Sequence, residues 1–247
     1  MYRSAVVLLA LAATSGAHAD QVNVAVAANF AAPMAVLALR FEAETGHKIV
    51  ASYGSTGKFY SQIEHGAPFE VLLAADADTP ARLEKEGATV PGTRLTYAIG
   101  QLVLWSAQPG LVDASGAVLK TGNFAHLALA NPKLAPYGAA AVSVLQNLKL
   151  YSALEPKLVL GENVGQTHQF VVSGSAPLGF VARSQVYQGD KLTSGSAWIV
   201  PANLYRPLRQ DAVVLAKGQG KSAALAFVKF LKSPQAQALI RFHGYAL

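Results

Sequence analysis

Four short stretches place small side chains, hydroxyls and amides where an apolar run gives way to a helical pattern. They are AVAANFAAP (25–33), SYGSTGKF (52–59), NPKLAPYGAAA (131–141) and LGENVGQT (160–167). Each reads as a strand running into a helix. The first N–H groups of a helix have no internal partner, and the helix dipole adds roughly half a positive charge there. Such an end is ready to hold an anion. Asn29 and Thr56 can add side-chain donors, whereas Tyr137 and Val164 offer well-placed backbone N–H groups. None of the four stretches contains an arginine. Asn, Ser, Thr and Gly also begin helices simply because they cap them, so the spacing alone leaves both readings open.

Other chemistries fit less well. SYGSTGKF looks like a nucleotide loop, but Gly54 and Gly57 enclose only two residues, and Phe59 follows Lys58 where a magnesium-binding hydroxyl is required. No Gly-x-Ser-x-Gly elbow and no His-Glu-x-x-His pair occurs. Ser55, His168 and Asp76 could be assembled into a catalytic triad, though no spacing demands it. The histidines show no metal-ligand spacing. Asp76 and Asp78 could take a hard cation, and are equally a strand end and a helix cap. Lys58 is read as a solvated first-turn lysine, since its ammonium is strongly hydrated.

The elements that must position these groups alternate between strand and helix, the pattern of an α/β protein with mostly parallel sheets. VNVAVAA (22–28), KIVASY (48–53) and EVLLAA (70–75) read as strands. Met34, Leu37 and Phe41 recur at helical spacing before Gly46, which can end that helix. Thr79 or Asp78 is expected to cap a helix with Pro80 in its first turn. YAIGQLVLWS (97–106) and AWIVPANLYRPLRQDAVV (197–214) read as crossings between two lobes, with Trp105, Trp198 and Tyr205 packing the hinge. A second α/β set lies between them, and no internal repeat is visible. Two lobes joined by crossings enclose a cleft, where open α/β sheets bind ligands. The expected division is a leader at 1–19, one discontinuous lobe at 20–102 plus 207–247, and a second at 103–206.

The chain has 247 residues, 52% hydrophobic and 14% charged, with no cysteine. Arg3, the run AVVLLALAA and the small-residue site at 17–19 read as an export signal cleaved after Ala19. An exported chain without cysteine suits a bacterial periplasm. Its net charge of +6 is scattered singly rather than clustered, which argues against nucleic acid as a partner.

Together with GSTGKFYSQIEHGAPFEVLLAADADTPARLEKEG and SAWIVPANLYRPLRQDAV, the four junctions resemble the periplasmic molybdate-binding proteins of ABC transporters. The resemblance covers 21–247. It implies a two-lobed, type II periplasmic-binding fold and no catalytic activity or cofactor. It also implies a monomer that closes on molybdate or tungstate and delivers it to a membrane permease with its ATPase. Carried over by position, ligand contacts fall on Ala28, Asn29, Thr56, Tyr137 and Val164, with Ser55 open as the source of the hydroxyl. Some members place a ligand-binding tyrosine where this chain has Ala182. The alternatives are a sulfate or phosphate receptor and, in another class, an exported hydrolase.

Overall fold

The computed structural model describes residues 20–247, so the leader reading at 1–19 lies outside the described residues. Strand β1 (Gln21–Ala27) is almost wholly buried and pairs in parallel with β2 (Lys48–Gly54) and β3 (Val71–Leu73). Helix α1 (Ala31–Thr45) follows a single 3₁₀ turn at Ala28–Phe30. Its Met34, Leu37 and Phe41 are fully buried, as their spacing requires. Gly46 ends it at φ 76°, a left-handed conformation that a residue without Cβ adopts freely. Helices α2 (Thr56–Glu64) and α3 (Asp78–Lys85) follow β2 and β3. The cap of α3 differs from expectation. Neither Thr79 nor Asp78 supplies it; Asp76 accepts the Thr79 N–H at 2.8 Å, because the strand ends early enough for its carboxylate to fold back.

The run read as crossing between lobes comprises two strands. β4 (Leu95–Gly100) and β5 (Leu102–Ser106) are separated by Gln101 alone and lie in different sheets. The second set contains the short α4 (Val118–Thr121), β6 (Leu127–Ala130), α5 (Pro136–Asn147) and the short α6 (Tyr151–Leu154). It continues through β7 (Leu158–Gly161), α7 (Val164–Val172), β8 (Leu178–Ala182) and α8 (Arg183–Val186). A two-stranded hairpin, β9 (Tyr187–Gln188) with β10 (Lys191–Leu192), leads to β11 (Ser196–Ile199). The chain then returns through β12 (Leu208–Val214) and ends with α9 (Ser222–Phe230) and α10 (Pro234–Phe242).

The two five-stranded sheets have orders β2-β1-β3-β12-β4 and β7-β6-β8-β5-β11. They share one plan: the second, first and third parallel strands of the set, then an antiparallel visitor, then a final edge strand. The sequence shows no repeat, yet the architecture repeats. Each sheet carries helices and its own apolar core. Tyr205, on the return path between β11 and β12, accepts the Leu102 N–H at 3.1 Å and so pins one crossing to the other. Trp198 joins the same core cluster as Tyr205. Trp105 does not: it stacks on His168 of α7, with ring centroids 5.1 Å apart, because the pleat turns it to the other face of its sheet. Among the described residues no helix is long and apolar enough to cross a membrane.

Candidate functional site

The anion-site reading requires four helix starts to converge, and they do. β1 and β2 end in the first sheet, β6 and β7 occupy the equivalent places in the second, and the helix following each opens toward one small cavity. Ala28, Asn29, Ser55, Thr56, Tyr137 and Val164 all line it, together with Ala27, Gly54, Ala75, Ala135, Pro136 and Asn163. No charged side chain is among them. The space is narrow: about 10 Å³ is open to the centre of a water-sized sphere, which is the room one water needs.

Ser55 marks this cavity chemically. It is 3% exposed, and its hydroxyl has no hydrogen-bond partner among the described residues. A buried hydroxyl left unpaired costs about 1–3 kcal/mol, so its presence calls for a partner that the chain does not supply. A nucleophilic serine is activated by a base within hydrogen-bond reach, and among the described residues none is hydrogen-bonded to Ser55. His168 is against Trp105, and Asp76 is held by the Thr79 N–H and hydroxyl.

Thr56 is arranged differently. Its Oγ1 accepts the buried Ala75 N–H at 2.9 Å, which leaves its own hydrogen free to donate toward the cavity. Thr56→Val should therefore weaken anion binding by about 1.5–3 kcal/mol and also lower stability by about 1–3 kcal/mol, because Ala75 N–H loses its acceptor. Calorimetry and thermal melts of the same variant check both effects.

Asn29 departs from the role its side chain suggested. Both hydrogens of Nδ2 are engaged inside the protein, by Gln210 Oε1 at 2.9 Å and the Tyr245 hydroxyl at 3.0 Å. Its backbone carbonyl in turn accepts from Tyr245 (2.7 Å) and Ser184 (2.8 Å). The side chain thus fixes the first 3₁₀ turn, and both of its Nδ2 hydrogens are engaged within the protein. Tyr137 likewise turns its ring away: its hydroxyl accepts from Gln210 Nε2 at 3.3 Å. Burial holds the Tyr137, Tyr97 and Tyr245 phenols well above their ordinary range, so all three stay neutral hydrogen-bonding groups. Val164 opens α7, where Asn163 caps by accepting the Gln166 N–H at 3.1 Å. Neither Tyr137 N–H nor Val164 N–H makes a turn or cap hydrogen bond among the described residues. Ala182 is fully buried and has no polar side chain to offer.

The two halves also touch beside the cavity. Gly57 N–H donates to the Leu134 carbonyl at 2.9 Å, and Lys58 Nζ stands 3.3 Å from Glu162. Lys58 does not line the cavity; both partners of its ion pair are more than half exposed, so it contributes little. A larger groove of about 400 Å³ adjoins the cavity and includes Asp76, Asp78, Lys133, Arg206 and Arg209. No group of three or more acidic or histidine side chains that could hold a metal ion occurs among the described residues.

Burial raises the Asp76 carboxyl above its usual value of 3.8, outweighing its Thr79 hydrogen bonds. A raised folded pKa means that stability from this group is fully present below pH 3.8 and is lost as pH rises through the folded value. Asp76→Asn keeps an acceptor for Thr79 without the buried charge. It is expected to raise the melting temperature at pH 7, with the gain shrinking toward zero near pH 3.

With this geometry in place, the comparisons with known proteins define the class. Residues 22–246 match the family model described as bacterial extracellular solute-binding protein, and the chain belongs to that family. Within it, the chain is 61% identical over 231 residues to the molybdate-binding protein ModA of Azotobacter vinelandii, spanning 94% of this chain and 92% of the relative. It is 51% identical over 229 residues to ModA of Rhodobacter capsulatus, spanning 93% and 89% respectively. The solved Azotobacter vinelandii periplasmic molybdate-binding protein superposes with a TM-score of 0.88 at 44% identity, covering 92% of this chain and 99% of that one.

The sequence made the helix starts legible, and Asn163 as a cap could have been read from its place before Val164. Ala75, Gln210 and Tyr245 could not. They arrive from a strand end, the return strand and the C-terminus, and no local pattern marks them.

Proposed function

We propose that this protein is a periplasmic receptor that captures molybdate, or tungstate, and hands it to a membrane permease driven by its ATPase. It is a binding protein rather than an enzyme, and the oxyanion is its cargo. The observation that carries the reading is the partnerless Ser55 hydroxyl, buried where four helix starts meet. The relatives at 61% and 51% identity support the choice of anion.

The contacts are Ser55 and Thr56 through hydroxyl and N–H groups, and Ala28, Asn29, Tyr137 and Val164 through their N–H groups. Hydrogen bonds to a charged group contribute about 1.5–3 kcal/mol each, so these eight supply roughly 12–24 kcal/mol before ordering and desolvation are subtracted. A surplus of about 8–12 kcal/mol corresponds to micromolar to nanomolar binding. Uncharged donors suffice.

The halves 20–102 plus 207–247 and 103–206 act as lobes that hinge at Gln101 and along 200–207. Two features support this: among the described residues those two crossings alone join the sheets, and the cavity is lined by residues from both. The mature protein works as a monomer in the periplasm.

Monohydrogen phosphate carries a proton that needs an acceptor, and the cavity lining has no carboxylate. Asp76 and Glu162, the nearest candidates in sequence, both lie outside that lining. Titration calorimetry of residues 20–247 with molybdate, tungstate, sulfate and phosphate tests the reading. Saturable heat with the first two, undisplaced by phosphate, is expected. No heat with either ends it, and stronger binding of sulfate moves the assignment to a sulfate receptor.

A further inference from the structure

Behind the cavity lies a buried group of polar side chains that no ligand contact requires. Gln210 is at its centre, fully buried on β12, the return strand from the second half to the first. Its Oε1 accepts from Asn29 Nδ2 at 2.9 Å and lies 3.0 Å from the Tyr97 hydroxyl. Its Nε2 faces the Tyr137 hydroxyl at 3.3 Å. Asn29 belongs to the first sheet's side of the cavity and Tyr137 to the second, so one amide touches a site residue from each half. Few side chains could do this, because the position needs an acceptor on one arm and a donor on the other.

The neighbouring strand is shaped around that contact. A Cβ on Gly100 would stand 2.2 Å from the Tyr137 hydroxyl and 2.6 Å from Gln210 Nε2. Gly100 also directly precedes the Gln101 crossing, so the contact is formed at the proposed hinge. The register of β12 against β4 shifts between Gln210 and Asp211, and both side chains are buried.

We propose that Gln210 is a positioning residue that couples the two halves of the anion site. By holding Asn29 and Tyr137 at once, it makes the N–H groups of those residues converge only when the hinge is closed. The inference rests on the anion-receptor reading above and names how its two halves are kept in step.

The test is a double-mutant cycle with molybdate as the probe, using Tyr137→Phe, Gln210→Met and the double variant. Tyr137→Phe removes only the hydroxyl and keeps both the ring and the N–H. Each single change is expected to weaken molybdate binding about tenfold, the scale of one lost buried hydrogen bond. The double variant is expected to be no weaker than the weaker single, because both remove the same link. X-ray scattering should show a smaller ligand-induced contraction in the variants than in the wild type.

A merely structural role would lower the melting temperature and leave affinity and contraction unchanged; that result overturns the proposal, as do effects that multiply independently. If Gln210→Met does not fold, Tyr137→Phe alone decides, and wild-type affinity in it is contradictory. A wild-type protein that binds no oxyanion removes the proposed function and this inference with it. Normal wild-type binding with indifferent variants removes this inference alone.

Discussion

Gly138→Ala is expected to lower the melting temperature sharply and to reduce molybdate binding with it. Gly138 follows Tyr137 in the first turn of α5, where the helix meets the end of β6. A Cβ there would lie 2.0 Å from the Ala130 carbonyl oxygen and 2.7 Å from its carbon. Both are backbone atoms of a buried strand, so no side chain can rotate away. Overpacking a core typically costs about 1–3 kcal/mol and occasionally more. A collision with fixed backbone belongs at the upper end, about 3 kcal/mol. For a protein of this size that corresponds to a fall of roughly 6–12 °C. The relief available is a shift of the α5 start away from the strand, which carries Tyr137 N–H off its position. Stability and affinity should therefore fall together, measured by thermal melts and by calorimetry on whatever fraction remains folded. An unchanged melting temperature would show that α5 does not lie against β6 as described.

Ser55→Ala should separate those two quantities. The Ser55 hydroxyl is buried without a partner, so removing it relieves an unpaired polar group, whose cost is about 1–3 kcal/mol. The unliganded variant should be as stable as the wild type or more so. Toward an anion the sign reverses: the lost donor costs about 1.5–3 kcal/mol of binding, roughly tenfold to 150-fold. Increased or equal stability with weakened binding is the signature of a group kept for a ligand. Equal binding in Ser55→Ala would assign the hydroxyl contact to Thr56 alone. Thr56→Val differs because Thr56 also accepts the Ala75 N–H, so stability and affinity are expected to drop in it together.

The parts of the molecule that local physics dictates are readable in the sequence. Met34, Leu37 and Phe41 repeat every three or four residues and all face the core; Gly46 ends their helix in the left-handed conformation its type permits. The four junctions were legible because strand and helix periods change within two or three residues of Asn29, Ser55, Tyr137 and Val164. What could not be read depends on groups far apart in the chain. Asn29 looked like a side-chain donor to a ligand, yet its amide is engaged by residues 181 and 216 positions away. Ser55 and Thr56 are adjacent hydroxyls, and only the approach of Ala75 N–H distinguishes them. Trp105 sits in a crossing segment, but the pleat directs it under α7 rather than into the hinge. The exact place of the break, at Gln101, has the same origin: it shows only once the sheets that the two strands join are known.

The most direct measurement on the central claim is a crystal of residues 20–247 grown with tungstate, with the tungsten located from its anomalous scattering. The peak is expected between Ser55 Oγ and the N–H groups of Tyr137 and Val164, with the anion's oxygens ringed by uncharged donors from both sheets. Tungsten found instead in the adjoining groove, held by Lys133, Arg206 or Arg209, would contradict it.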